Sequence, residues 1–292
     1  IFKISFIDKI INSCRFHSKN KIKKTLLEID SREGIVYMDG ANYYNTNNTY
    51  SLKLSKKILP IIINENRKYN KIEKINKKIN ISYVGRISDF KYFPLLKVIQ
   101  QINVLVLNKK IDVEFFIFGD GEFKEALIDQ IKQISFKINF IGFVSNNNLL
   151  SVLSHHEINI NFAMGTSVLD SSFIGIPTVV LNFYYVEMRN TPKYNWIYEE
   201  LDFSVGKELF KQDFNIYNFN SLEKIFDDLI NNEANVIIKT KDYYRINYNA
   251  ETVTNQFVKF LNSSSLKFMH IKNIHNKGLI RKTYNYAKYG LR

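Results

Sequence analysis

The stretch from Glu157 to Leu181 constrains the fold of this chain more than any other. Ile158 to Ala163 is an apolar run of strand length, and Gly165-Thr166-Ser167 is a small-residue turn with two hydroxyls. Val168 to Ile174 then reads as one or two helical turns, closed by Gly175 and Pro177. Thr178 to Leu181 opens a second β-branched strand. Strand, turn, helix and strand in that order make a parallel βαβ unit, so the expected class is α/β with a parallel sheet. The first amides of a helix lack intrahelical acceptors and sit at its positive dipole end, so this turn can hold a phosphate or pyrophosphate. Asp170, one turn into the helix, has the position and charge to accept hydrogen bonds from a ribose. A plainer reading stands beside that one. The hydroxyls cap the helix, the dipole favours an early Asp, and nothing binds.

Upstream, Ile81-Ser82-Tyr83-Val84 is a strand that ends in Gly85-Arg86, with Lys91 on the loop that follows. Phe93 to Val106 carries apolar residues at helical spacing. Ligands of α/β sheets bind beyond the carboxyl ends of the strands. An Arg and a Lys meeting there would neutralise a diphosphate, the first by a bidentate fork and the second as a point charge. Val113 to Phe118 is a second strand, and Gly119-Asp120-Gly121-Glu122 leads into a helix from Phe123 to Ile134. Lys137 to Phe143 is a third strand and Asn146 to Ser154 a short helix. Asp120 and Glu122 read as the acidic start of a tight strand–helix turn rather than as a metal pair. His155 and His156 are adjacent, so they do not share a face, and no third ligand is evident. No metal site is expected.

The order of these motifs resembles the C-terminal nucleotide-sugar domain of GT-B glycosyltransferases, above all the retaining family 4 (glycosyl transferases group 1). That signature has a glycine five residues before an acidic residue, then Gly five and Pro seven residues after it; Gly165, Asp170, Gly175 and Pro177 fall on those positions. Its other acidic residue, eight positions earlier, is replaced here by Phe162. The resemblance covers about residues 80 to 262 and implies a Rossmann-like domain of GT-B type, preceded by the remnant of a second α/β domain. It implies sugar transfer from a nucleotide-diphosphate donor to a glycan or lipid-linked acceptor, as in bacterial surface polysaccharide synthesis. Arg86 and Lys91 would carry the catalytic charge stabilisation, with Gly85, Gly119, Gly165, Thr166, Ser167 and Asp170 binding the donor. No Asp-x-Asp motif is present, so neither metal nor other cofactor is expected and the leaving group falls to these side chains. Phe162 leaves retention or inversion open. Two alternatives are a nucleotide-sugar 2-epimerase and a GT-B domain that binds sugar nucleotides or glycans without turnover. The first needs a cleft set of carboxylates and histidines that the sequence does not display.

The implied organisation has residues 1–63 as the truncated end of an N-terminal acceptor domain and 64–80 as a solvated linker. The nucleotide-sugar domain runs over 81–240, a crossover helix over 241–262 and a tail over 263–292. Within these, Phe6, Ile7, Ile10 and Ile11 have helical spacing, Ile35 to Met38 reads as a strand, and the Asn-rich Asn42 to Thr49 as a loop. Asn182 to Tyr194, followed by Trp196, is an aromatic-rich loop, able to stack on a base or sugar or simply to pack. Asp202 to Phe210 is expected to hold the last strand, and Leu222–Asn231 and Thr240–Leu261 two helices. The first residue is Ile, as expected of a fragment.

Composition narrows the partners. Hydrophobic residues at 45% and charged residues at 24% belong to a globular protein with an ordinary core. No apolar run approaches the roughly 18 residues that span a bilayer. One cysteine, Cys14, allows no internal disulfide and fits a reducing, cytoplasmic setting. The +13 charge favours polyanions, but the abundance of Asn, Ile and Lys throughout is a compositional bias that explains part of it. No nucleic-acid signature is present. From Thr252 to Arg292 no acidic residue occurs, and lysines and arginines alternate with aromatics, as suits either an anionic membrane surface or a solvated tail.

Overall fold

The computed structural model describes residues 19–69, 78–187, 194–209 and 219–271. The expected N-terminal helix around Phe6 to Ile11, Cys14, part of the linker and most of the basic tail lie outside the described residues. The chain divides into two compact units, one of Ile1–Tyr37, Asn42–Leu59 and Asn255–Arg292, the other of Met38–Ala41 and Pro60–Thr254.

In the first unit, residues 19–30 form helix α1, and helix α2 spans Gly40–Tyr50. The sequence reads α2 as a loop, because its run of Asn, Tyr and Thr shows no apolar periodicity. Its own side chains secure it: Thr46 donates to the Asn42 carbonyl at 2.8 Å, Asn47 to that of Tyr43 at 3.1 Å, and Tyr43 to Leu54 at 3.0 Å. The expected strand at Ile35 to Met38 is reduced to a single parallel bridge between Tyr37 and Ile58.

The second unit is built on a six-stranded sheet. Its strands are β1 (Ile79–Val84), β2 (Val113–Phe118), β3 (Lys137–Gly142), β4 (Ile160–Ala163), β5 (Thr178–Val180) and β6 (Asn195–Trp196), in spatial order β3-β2-β1-β4-β5-β6. The first five are parallel and β6 is antiparallel to β5. Helices α3 (Asp89–Lys109), α4 (Lys124–Gln130), α5 (Asn146–His155) and α6 (Thr166–Phe173) connect them. Helix α7 (Leu222–Asn247) follows, and helix α8 spans Ala250–Ser263.

Both sheet faces are covered over β2, β4 and β5, which is why these strands read as near-continuous apolar runs, whereas the edge strand β3 buries no residue fully. Successive side chains still divide between the faces. Ile81, Tyr83, Phe115, Ile117, Ile160 and Phe162 pack with α3 and the start of α7. Val84, Phe116 and Phe118 pack on α5, whereas Ala163 and Val180 meet α6 and Tyr244 and Tyr248 near the end of α7. The last strand differs from expectation: Asp202 to Glu208 contributes only a bridge between Phe183 and Glu208, and β6 arises at the end of the aromatic loop. Two residues are too few to leave a period in the sequence. The expected helix from Thr240 to Leu261 is also broken, between Asn247 and Ala250. Asn249 caps the new start, its Oδ1 accepting from the Glu251 amide at 3.0 Å.

A candidate anion-binding cleft at the switch point

The strand order reverses between β1 and β4, because β2 and β3 extend the sheet one way and β4 and β5 the other. At such a switch point the connections leave in opposite directions and open a crevice beyond the carboxyl ends of the strands. A cleft of about 580 Å³ occupies that place. It is lined by Gly85 and Arg86 after β1, Gly119 to Gly121 after β2, Phe143 and Val144 after β3, and Thr166, Ser167 and Asp170 of α6. Six of the eight residues expected at the site, all but Gly165 and Lys91, therefore line one cavity. Lys91 lies just behind it.

Glycines shape the floor. A Cβ on Gly119 would lie 1.9 Å from the Gly85 carbonyl oxygen, so the two strand ends can converge only without a side chain there. Gly165 has φ 70° and ψ −147°, a conformation open essentially to glycine alone, and none of the described residues stands within 4 Å of the Cβ it lacks. Gly165 precedes the helix without any side-chain cap, so the hydroxyls do not play the capping part that the plainer reading gave them. The amides of Thr166 and Ser167 at the helix start are thus left to a ligand or solvent.

The cations differ in setting. Arg86 is exposed, its side chain 71% accessible, and Nη2 donates to Glu122 Oε2 at 2.9 Å. Its own backbone amide and the Arg86 guanidinium hold the Glu122 carboxyl below the usual range. Lys91 is half-buried on α3, with Nζ 5.6 Å from the Phe90 ring centre and about 3.4 Å from where a Gly85 Cβ would stand. Burial lowers its pKa, and among the described residues it has no carboxylate partner. Asp120, by contrast, pairs with Lys124 at 3.7 Å.

Asp170 carries a surprise. Its side chain is 4% exposed and ion-paired with Arg67, which is 3% exposed. The Arg67 fork also donates to the Asn64 carbonyl at 2.8 Å and to both the carbonyl and Oδ1 of Asn146 at 3.0 Å. The sequence places Arg67 in a solvated linker, and its partner lies 103 positions away. No local signal could have found it. Phe143 was likewise read only as the end of a strand, yet it is 81% exposed on the wall of the cleft. Phe162, in the position of the signature's other acidic residue, is fully buried in the α3-side core and does not line the cleft.

S. aureus TarM in a complex that includes UDP superposes with a TM-score of 0.50 at 14% identity, over 83% of this chain and 46% of that one. A second TarM structure gives 0.53 at 15% identity over the same shares. The lipopolysaccharide outer core galactosyltransferase WaaB gives 0.51 at 11% identity, over 78% of this chain and 61% of that one. The fold is of GT-B type. The chain spans about half the length of the GT-B structures it matches. No protein-family model matches the sequence, and no curated protein matches it. Among the described residues no helix is long and apolar enough to cross a membrane.

Proposed function

We propose that this chain carries the donor half of a glycosyltransferase, taking a sugar from a nucleotide-diphosphate sugar to a hydroxyl of a glycan or lipid-linked acceptor. One observation carries the reading. Uncapped helix amides and an exposed arginine line the cleft at the sheet's switch point, and behind it stands a half-buried lysine that has no carboxylate partner among the described residues. In this reading the diphosphate lies over Thr166 and Ser167, where backbone amides and the helix dipole favour it. Arg86 leaves Glu122 to grip it, and Lys91 adds charge from behind. As the bond from anomeric carbon to diphosphate oxygen breaks, negative charge grows on the leaving group, and these donors stabilise it without a metal. Phe143 offers its exposed face to the nucleobase.

The UDP in the TarM complex and the galactosyl transfer of WaaB make uridine nucleotides the first donors to test. Lipopolysaccharide and related surface glycans are the matching acceptor class, at the cytoplasmic face of a membrane. Residues 1–63 would then belong to an acceptor domain, and the basic, aromatic residues beyond Ser263 would touch anionic lipid, each cation adding about 1 kcal/mol near the surface. Calorimetric titration of UDP, GDP, ADP and CMP, with and without EDTA, into wild type and Arg86→Ala tests the donor site. One diphosphate bound equally with and without chelator, and at least about tenfold more weakly by the variant, is expected. Absence of binding by a folded chain, or binding indifferent to Arg86, would overturn it.

A further inference from the structure

Asp170 is the one carboxylate of α6, and it faces two ways. It lines the cleft, yet its Oδ1 is taken by Arg67 inside the protein. Among the described residues its Oδ2 accepts no hydrogen bond. Arg67 in turn ties three stretches together: the segment ahead of β1 through Asn64, α5 through Asn146, and α6 through Asp170. A carboxylate so deep would ordinarily take up a proton, because burial penalises its charge. Burial does push the Asp170 carboxyl up, and Arg67 acts against that by hydrogen bond and charge.

We propose that Arg67 is a positioning residue for the donor nucleotide: it keeps Asp170 ionised and turned, so that Oδ2 is presented to the cleft as an acceptor for a ribose hydroxyl. This rests on the nucleotide reading above. A neutral carboxyl can donate or accept, whereas an ionised one only accepts, and a ribose hydroxyl donates to it the stronger, charge-assisted hydrogen bond. The other groups facing the pair do not substitute for Arg67. The Tyr244 hydroxyl on α7 donates to Glu65 Oε1 at 2.7 Å, and Arg86 and Asp120, which line the same cleft, have Glu122 and Lys124 as partners.

The test uses whichever of UDP, GDP and ADP wild type binds most tightly, titrated between about pH 6 and pH 9 with thermal unfolding in parallel. Wild-type affinity is expected to be flat through neutral pH. Arg67→Met is expected to bind about tenfold more weakly near pH 6.5 and to recover as pH rises and Asp170 ionises. Arg67→Lys keeps the charge and should restore the flat profile. Asp170→Asn should lose about tenfold at every pH. If Arg67→Met does not fold, the neutral pair Arg67→Met/Asp170→Asn takes its place, and it should bind no worse than Asp170→Asn alone. Equal loss at all pH values in Arg67→Met, or an additive loss in the double variant, would overturn the inference by making Arg67 a structural residue only. Wild-type binding with an indifferent Arg67 overturns the inference alone, whereas a wild type that binds no nucleotide removes the donor reading and the inference with it.

Discussion

Two arginine–carboxylate pairs border the switch-point cleft, and each places one member on its wall. In the pair of Arg67 and Asp170 the side chains are 3% and 4% exposed; in that of Arg86 and Glu122 they are 71% and 47% exposed. The chemistry is the same and the consequences are opposite. A buried pair has lost its water, so neither partner can leave without stranding the other charge. An exposed pair is worth little and is screened by salt, so its arginine is free to exchange Glu122 for a better anion. Burial thus separates a cation that builds the site from one that can meet a ligand.

The comparison breaks first, and with the largest effect, at Arg67. Arg67→Ala is expected to cost about 3–5 kcal/mol of stability, read from urea unfolding, because it leaves Asp170 buried and unpaired. A loss below about 1 kcal/mol would put that pair in the same class as Arg86 and Glu122.

Glu200 sharpens the point, being a buried carboxyl with no arginine fork. It is 7% exposed, its Oε1 accepts no hydrogen bond among the described residues, and burial lifts its pKa from 4.5 to about 7. Lys207, Asn195 and Ser204 pull that value down, and Glu199 pushes it up. Between pH 4.5 and about 7 the folded chain holds a proton that the unfolded chain has released, so stability should fall as pH rises and level off above 7. The loss is on the order of 3 kcal/mol. Glu200→Gln should flatten that part of the unfolding profile, and an unchanged slope would assign it to other groups.

Arg86→Ala is the converse of Arg67→Ala. Stability should change by less than about 0.5 kcal/mol. Affinity for a nucleoside diphosphate should fall between about tenfold and a hundredfold, as loss of charge-assisted hydrogen bonds implies. Smallest of all is Glu122→Gln, which frees Arg86. A gain of less than about fivefold in diphosphate affinity is expected, shrinking further at high salt.

What the sequence revealed follows the same division. The parallel strands β1, β2, β4 and β5 were legible because burial writes apolar residues into them, and Gly165, Gly119 and the helix start were legible because backbone geometry demands particular residues. Arg86 was legible as a cation just beyond a strand. Arg67 was not, because its meaning lies in a partner brought close only by folding. Helix α2 and strand β6 were missed for related reasons: the first is held by local side-chain bonds among polar residues, the second is too short to show a period. The break at Asn249 depended on one capping side chain within a helical pattern.

The most direct test is a crystal structure of the chain with the nucleoside diphosphate that calorimetry selects. The account expects the diphosphate within hydrogen-bonding distance of the Thr166 and Ser167 amides, Arg86 turned from Glu122 onto it, and Arg67 still on Asp170. A nucleotide bound away from this cleft, or one bound in it with Arg86 still held by Glu122 and Arg67 released, would contradict it.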